Sequence, residues 1–404
     1  MRLIAGRGAS RVALAHENLN PNYSPSVTEM LSFTPEPKIE KELLTLHGQI
    51  VGAWNSLRDL TEFEADYLHR QAFISTIGAS TRIENAVLTD PEVEWVDTTL
   101  AQDGRPTSFE ARKGFIIDKL SKDRERSIEE VAGCRLMLTT IYQQAGELLP
   151  LTETHIRALH HDLLRYYPHT SRYAGKYKSI PNKVVAVNHQ TGEEQVVLAP
   201  ADPGVITDTA MAELVAWYNE TRQVSSWPLL VAVEFVFRFL AIHPFQDGNG
   251  RLGRGLFLLA LLQSDEQYLA GIAPFLAIDR HVEKNKVMYY GALRQCSGGK
   301  FYPSPAGYRY QPLVGFYLRV MKEALRDLDF YRARYASLRK LSQSAEKVLD
   351  CFKTNPERRL PVAEIEQEVG LPRRTIQYAL KSLTQQGFLQ RLGSGAGSRY
   401  QLLF

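Results

Sequence analysis

The sequence predicts a mainly α-helical protein with one isolated β-hairpin and a small C-terminal unit that ends in strands. Three observations predict this. Apolar residues recur at helical spacing in successive segments between Glu40 and Leu341. β-branched runs, Lys183-Val184-Val185-Ala186-Val187-Asn188-His189 and Gln195-Val196-Val197-Leu198, flank a turn at Gln190-Thr191-Gly192 and spell a hairpin. Beyond Ser344, three short helical patterns give way to strand-like pieces around a Gly-Ser-Gly-Ala-Gly turn.

Residues 1–39 are rich in Pro, Ser and Asn, as at Pro21-Asn22, Ser24-Pro25 and Thr34-Pro35-Glu36-Pro37. They read as an extended arm that either wraps the domain or stays mobile. Residues 40–125 form an N-terminal helical region, in which Leu43, Leu44, Leu46, Ile50, Val51 and Trp54 make one helix face and Phe63 to Ile77 a second helix. Residues 126–315 form the central domain. Ser127 to Ala145 and Thr152 to Tyr166 are helical, and the hairpin follows. Trp227 to Ile242 is apolar enough for a buried helix, and Leu256 to Leu262 is a second apolar stretch. Phe316 to Leu341 is a long amphipathic, basic helix, so residues 316–341 read as a linker to a separate unit at 342–404.

Between the two apolar helices of the central domain stands His243-Pro244-Phe245-Gln246-Asp247-Gly248-Asn249-Gly250-Arg251-Leu252-Gly253-Arg254. Gly248 and Gly250 allow positive φ, so backbone amides can converge on one point at the start of the next helix, where the dipole favours an anion. Arg251 and Arg254 are three apart on that helix, and guanidinium forks suit phosphate oxygens. Asp247 offers the hard oxygen that Mg2+ takes when it bridges phosphates. His243 can take a proton near neutral pH and is the natural base for a hydroxyl nucleophile. The alternatives are a satisfied histidine at a helix end and a calcium loop. The calcium loop lacks its closing glutamate, since Arg, Leu, Gly and Arg follow.

The run matches the Fic motif, His-Pro-Phe-x-Asp/Glu-Gly-Asn-Gly-Arg-x-x-Arg, at every fixed position, and the chain thereby resembles the Fic family. The resemblance implies a helical Fic core with a β-hairpin flap that transfers AMP from ATP to a Ser, Thr or Tyr hydroxyl of a protein and releases pyrophosphate. It implies His243 as the base, Asp247 as the Mg2+ ligand, Gly248, Asn249 and Gly250 as the anion hole, and Arg251 and Arg254 on the outer phosphates. Phe245 would anchor the loop. The Doc branch, which phosphorylates its target, carries Lys where this chain has Gly250, so AMP transfer is the better match. The hairpin resembles the Fic flap, which pairs with an extended target segment by strand addition. The target protein would dock there, on residues 183–198.

Upstream, Ser80-Thr81-Arg82-Ile83-Glu84-Asn85 matches the Ser/Thr-x-x-x-Glu-Gly/Asn inhibitory motif of Fic proteins of the N-terminally autoinhibited class. Ser80, Glu84 and Asn85 are then inhibitory residues. A glutamate paired with Arg254 would occupy the place of the γ phosphate. The alternative is a capping box at Thr81 to Glu84 that starts a helix. Downstream, Asn285 to Leu293 resembles the family's helix whose paired aromatics, here Tyr289 and Tyr290, wall the nucleoside. Ser297 falls where some relatives place a polar adenine contact, though a short hydroxyl reads a base less decisively than an amide. The ATP site expected from the resemblance comprises Glu84, Val184, Val185, Ala186, Val187, His243, Asp247, Gly248, Asn249, Gly250, Arg251, Leu252, Gly253, Arg254, Tyr289, Tyr290 and Ser297.

The composition, 44% hydrophobic and 23% charged over 404 residues, is that of a soluble globular chain with room for two or three domains. Cys134, Cys296 and Cys351 are scattered and odd in number, which implies neither a disulfide framework nor a zinc site. No apolar run of membrane-spanning length and no secretory signal is present, so a cytoplasmic protein without membrane contact is expected.

In the last unit, Val362 to Ile365 and Val369 to Leu383 read as helix, glycine turn, helix, with a terminal hairpin from Leu389 to Leu392 and Arg399 to Leu403. This resembles a winged helix-turn-helix. Residues 341–404 hold nine Lys or Arg against six Asp or Glu, while the rest of the chain holds 39 of each, so the whole excess of +3 sits here. Arg373, Arg374, Gln377 and Lys381 suit phosphate and base-edge contacts of duplex DNA; a protein-docking role is the alternative. Two functions follow as expectations. One is an autoinhibited, self-modifying protein adenylyltransferase, with removal of AMP by a Glu84-oriented water as a minor variant. The other is a DNA-binding regulator whose core senses nucleotide without turnover. A homodimer that gates the Glu84 helix is a further expectation.

Overall fold

Pro37 opens helix α1 (Pro37–Leu57) at a position where its missing N–H is no loss, and Leu43, Leu46 and Ile50 are buried along one face. The helix therefore starts ahead of Glu40 and takes in the end of the expected arm. The structure is a computed structural model that describes residues 30–100, 109–120, 124–187, 194–354 and 358–402. Residues 1–29 of the expected arm lie outside the described residues. Its last residues wrap the domain: Trp217 Nε1 donates to Met30 O at 2.6 Å, and Ser32 bonds the buried Glu234 through its N–H.

Helix α2 (Glu62–Ile83), capped by Thr61, runs beyond the Ile77 that periodicity suggests. Its buried face mixes Leu68, Ile74 and Ile77 with Gln71, Ser75, Thr76, Ser80 and Thr81, and these polar positions blur the apolar repeat. After α3 (Asp90–Leu100) and α4 (Phe109–Leu120), α5 (Glu125–Gln144) packs on α6 (Glu153–Leu164). Gly133 permits that approach, since a Cβ there would meet the Leu163 carbonyl. A single turn, α7 (Pro168–Ser171), precedes the hairpin of β1 (Val184–Val187) and β2 (Glu194–Leu198), which pair antiparallel with an irregularity between Val184 and Val185. The expected turn at Gln190-Thr191-Gly192 lies outside the described residues, as do Asn188 and His189 of the first expected strand.

The centre of the molecule is α8 (Val205–Val224), α9 (Pro228–Ile242) and α10 (Asn249–Leu262); from Leu229 onward α9 is buried throughout. Then come α11 (Gln267–Ile272), α12 (Ile278–Lys284), α13 (Lys286–Ser297) and α14 (Gln311–Leu338). The expected linker is a correction. α14 starts at Gln311, with Pro312 in its first turn, and buries residues from Leu313 to Tyr331 in the main core. Its last turns alone reach the C-terminal unit, where the Arg334 guanidinium lies 4.8 Å over the Phe388 ring.

That unit has its own core of Val348, Phe352, Ile365, Ile376, Leu380 and Leu389, built by α15 (Gln343–Thr354), α16 (Val362–Val369), α17 (Arg373–Gln385) and a sheet ordered β3-β5-β4. The strands are β3 (Leu360–Pro361), β4 (Leu389–Leu392) and β5 (Arg399–Leu402). Gly370, at φ +66°, ends α16 as the expected glycine turn, and α17 begins at Arg373. Strand β3 has two residues, too few to show a period. Among the described residues no helix is long and apolar enough to cross a membrane.

Candidate active site

His243 ends α9 in the left-handed region, φ +52°, where its N–H still donates to Phe239 O at 2.9 Å. Its Nδ1 lies 3.2 Å from Leu240 O. A carbonyl can only accept, so Nδ1 carries the proton and Nε2 the lone pair. Enclosure lowers the imidazole pKa to about 4, with the Leu240 carbonyl opposing and Lys178 adding to the shift. The ring is neutral at pH 7, the form a general base needs.

The loop after His243 is pinned from below. Phe245 is fully buried and stacks on His160 of α6, with ring centroids 3.7 Å apart. Asn249 accepts from Phe245 N at 2.9 Å and donates to Phe245 O at 2.7 Å, so its side chain braces the loop instead of facing an anion. His160 Nδ1 accepts from Gly175 N–H at 2.9 Å; Nε2 is therefore the protonated nitrogen and donates to Asp247 O at 2.9 Å. Gly248 takes φ +80°, where a side chain would be strained, and begins α10.

Two residues expected in the ATP site face the core instead. Leu252 is fully buried and its N–H donates to Gly248 O, while a Cβ at Gly253 would press on Leu240 of α9 at 2.9 Å. Leu252 joins the main core, and Gly253 lets α10 pack closely on α9. Ser297 stands at the last turn of α13. Its buried hydroxyl donates to Arg294 O and accepts from Gly299 N–H, closing the end of α13. Tyr289 is buried against Phe316, leaving Tyr290 the more open of the pair. For β1, at Val184, Val185, Ala186 and Val187, the backbone is placed opposite Leu198 to Glu194.

Arg254 is nearly surrounded. Its Nε donates to Ser80 Oγ at 3.0 Å, its Nη2 to Ser80 O at 2.8 Å and to Glu84 Oε1 at 3.0 Å, and Asp279 Oδ2 lies 3.7 Å from Nε. Glu84 stands at the C-terminus of α2, which excludes a capping box: Ser80 and Thr81 are inside the helix, not ahead of one. Asn85 takes φ +73°, a conformation that Gly and Asn tolerate best, so the last motif position is a backbone requirement. Burial opposes ionisation of Glu84, but Arg254, helped by Arg251 and Lys286, outweighs it and holds the carboxyl below its usual range. A Cβ on Gly250 would strike the Glu84 carboxylate, so the two are in van der Waals contact.

Arg251 differs. Its Nη2 is 3.6 Å from Asp247 Oδ1 and its Nη1 3.9 Å from Glu130 Oε1, too far for hydrogen bonds, and its buried Nε and Nη1 have no hydrogen-bond partner among the described residues. Unsatisfied guanidinium donors beside a glycine-lined helix start fit a phosphate, and Asp247, with its side chain 43% exposed, fits one Mg2+ contact. His160, Glu130, Asp279 and Arg82 were not legible from the motif. Each lies on another helix, and the apolar face of α6 (Ile156, Leu159, Leu163) was the only sign of His160.

Residues 150–261 match the Fic/DOC family model. The chain contains a Fic domain. An IclR helix-turn-helix model matches residues 345–393. Over 108 residues the chain is 28% identical to protein adenylyltransferase fic-1 of Caenorhabditis briggsae, covering 22% of this chain and 21% of that protein. Over 57 residues it is 44% identical to a Fido domain-containing protein of Dictyostelium discoideum, covering 14% of this chain and 40% of that one. The chain thus spans well under two thirds of these relatives. A crystal structure of a Fic family protein from Desulfovibrio desulfuricans shares the fold at TM-score 0.53 and 23% identity, over 92% of this chain and 97% of that chain. A Fic domain containing signaling protein from Bacteroides thetaiotaomicron gives TM-score 0.52 and 25% identity, over 72% and 96%.

In the C-terminal unit, Arg373, Gln377 and Lys381 of α17 share a cleft of about 400 Å³ with Arg391, Ser398 and Tyr400 of the strands. Arg374 lies on the next stripe of α17, over Tyr378 at 5.8 Å, and does not line that cleft.

Proposed function

We propose that the Fic domain transfers AMP from ATP to a protein hydroxyl and that Glu84 holds it shut. One observation carries the reading: the hydrogen bond from Arg254 to Glu84, set beside a neutral His243. His243 Nε2 takes the proton of the target hydroxyl as its oxygen bonds the α phosphorus and the bond to pyrophosphate breaks. Arg251 binds phosphate, and Arg254 joins it once Glu84 leaves. Asp247 would hold Mg2+, whose positive charge, when bound, screens the phosphates. The similarity to a protein adenylyltransferase supports this activity, and the β1–β2 hairpin gives a target segment an edge to pair with.

The test uses α-labelled ATP with Mg2+, the wild type and its Glu84→Gly form, and lysate proteins. Label should enter protein, most strongly with Glu84→Gly, and disappear with His243→Ala. No labelling by Glu84→Gly, itself included, would sink the proposal. The α17 cleft and the helix-turn-helix match favour a second reading, in which this unit binds duplex DNA. Absence of any binding to duplex DNA at low salt would end it.

A further inference from the structure

The stretch between α7 and β1 passes antiparallel to the motif loop, with Tyr177 bridged to Phe245. It bonds the carbonyls of four consecutive loop residues. Lys178 N–H donates to Pro244 O at 2.8 Å, and the Lys178 ammonium donates to Ile242 O at 3.1 Å and to Asn182 Oδ1 at 3.0 Å. The Asn182 amide donates to Phe245 O at 2.9 Å and reaches His243 O at 3.5 Å. The turn they bracket contains a histidine at φ +52°, a sparsely populated conformation that persists only where its surroundings over-determine it.

Lys178 is itself unusual, with a relative exposure of 4%. A lysine is seldom buried without partners for its ammonium. Here burial lowers its pKa to about 8, with Asp202 opposing, and its contacts are the two acceptors that fix the loop. Neither contact reaches the hairpin strands, yet Asn182 lies two residues before β1.

We propose that Lys178 and Asn182 are positioning residues that lock His243 in its left-handed conformation and, being the stem of the β1–β2 hairpin, tie the alignment of the base to the seating of the target. Removing the ammonium frees the Ile242 carbonyl and the Asn182 side chain together. His243 can then relax toward ordinary backbone conformations, and Nε2 loses its place. Arg251 and Arg254, which would hold the phosphates of ATP, make no hydrogen bond with Lys178 or Asn182 and keep their places. This inference rests on the AMP-transfer reading.

The experiment compares Lys178→Met, Lys178→Arg and Asn182→Ala in the Glu84→Gly protein. Lys178→Met should lower kcat for label transfer roughly tenfold to a hundredfold, as small displacements of a catalytic group do, with KM for ATP held within about twofold. Lys178→Arg should recover most of that loss, because a guanidinium can donate to the same carbonyl. Side-chain nitrogen NMR should show the single Nδ1–H tautomer of His243 in the parent and exchange between tautomers in Lys178→Met. Should Lys178→Met fail to fold, Asn182→Ala carries the same expectation. An unchanged kcat together with an unchanged His243 spectrum overturns the proposal, and so does a loss expressed wholly in KM for ATP. An inactive Glu84→Gly parent counts against AMP transfer instead, and the His243 spectrum then decides this inference alone.

Discussion

Glu84 Oε1 and Arg254 Nη2 are 3.0 Å apart across 170 positions of sequence. The pair is not isolated, because Arg82, two residues before Glu84, grips the neighbouring helices. Its Nε and Nη2 donate to the two carboxylate oxygens of Glu283 at 2.7 and 2.9 Å, and its Nη1 donates to Asp90 at 2.7 Å and Leu88 O at 3.0 Å. Lys286 adds a bond to Ile83 O. The end of α2 is therefore clamped between α3 and α12. Since the Glu84 carboxyl is held below its ordinary value of 4.5, acid alone does not release it at working pH.

Arg82→Ala should loosen that clamp and activate the protein without touching Arg254. Charge-assisted hydrogen bonds contribute about 1.5–3 kcal/mol each. A rise in AMP transfer of about tenfold, short of the Glu84→Gly level, is the expected result. It is read from label incorporation in parallel assays, and a rate equal to wild type would show that the clasp does not govern Glu84.

His160 makes stability depend on pH. Its burial lowers the folded pKa to about 4, against about 6.5 in an unfolded chain. The unfolded state thus binds the proton first as pH falls. Stability is complete above pH 6.5, declines toward pH 4 and is flat below, a loss of about 3 kcal/mol at most from this residue. Urea unfolding at pH 7 and 4.5 measures it, and His160→Gln should flatten the difference; parallel curves for the two proteins would refute the assignment.

Gly133→Ala tests the α5–α6 contact. The added methyl meets the Leu163 backbone, which cannot step aside as a flexible side chain could. Overpacking of this kind costs about 1–3 kcal/mol. A lower urea midpoint with an unchanged m-value is expected.

For the C-terminal unit, Lys381→Ala should weaken duplex DNA binding and reduce the salt slope by about one, as loss of one phosphate contact does. Arg374→Ala, outside the α17 cleft, should do less. Equal losses from the two would place the contact surface elsewhere on α17. Titrations at two salt concentrations distinguish these outcomes.

The helices around the motif were legible from their apolar residues, which recur along one face of α6 and fill nearly the whole of α9. α2 runs past Ile77 through Gly78, Ser80 and Thr81, small and polar residues whose burial no apolar period reports. α14 read as a linker because its basic exposed face dominates the pattern, while Leu313 to Tyr331 bury a face in the main core. Leu252 and Gly253 read as ligand contacts because they stand within the motif run, yet on α10 Leu252 is buried in the core and Gly253 lies against Leu240 of α9.

The order His243 to Arg254, the two glycines and the Glu84 motif are written in the sequence, since residue types and spacing fix which chemistry a turn can do. Which groups answer to one another was decided by the tertiary structure. Arg254 could serve a phosphate or an acid, and folding placed Ser80, Glu84 and Asp279 around it. His243 could have been charged or neutral, and enclosure by the loop and Leu240 made it neutral. Lys178 could have been one more solvated lysine, and packing turned it onto the Ile242 carbonyl. Burial and the geometry of contacts between distant segments set these states, and neither quantity is a property of any one stretch of chain.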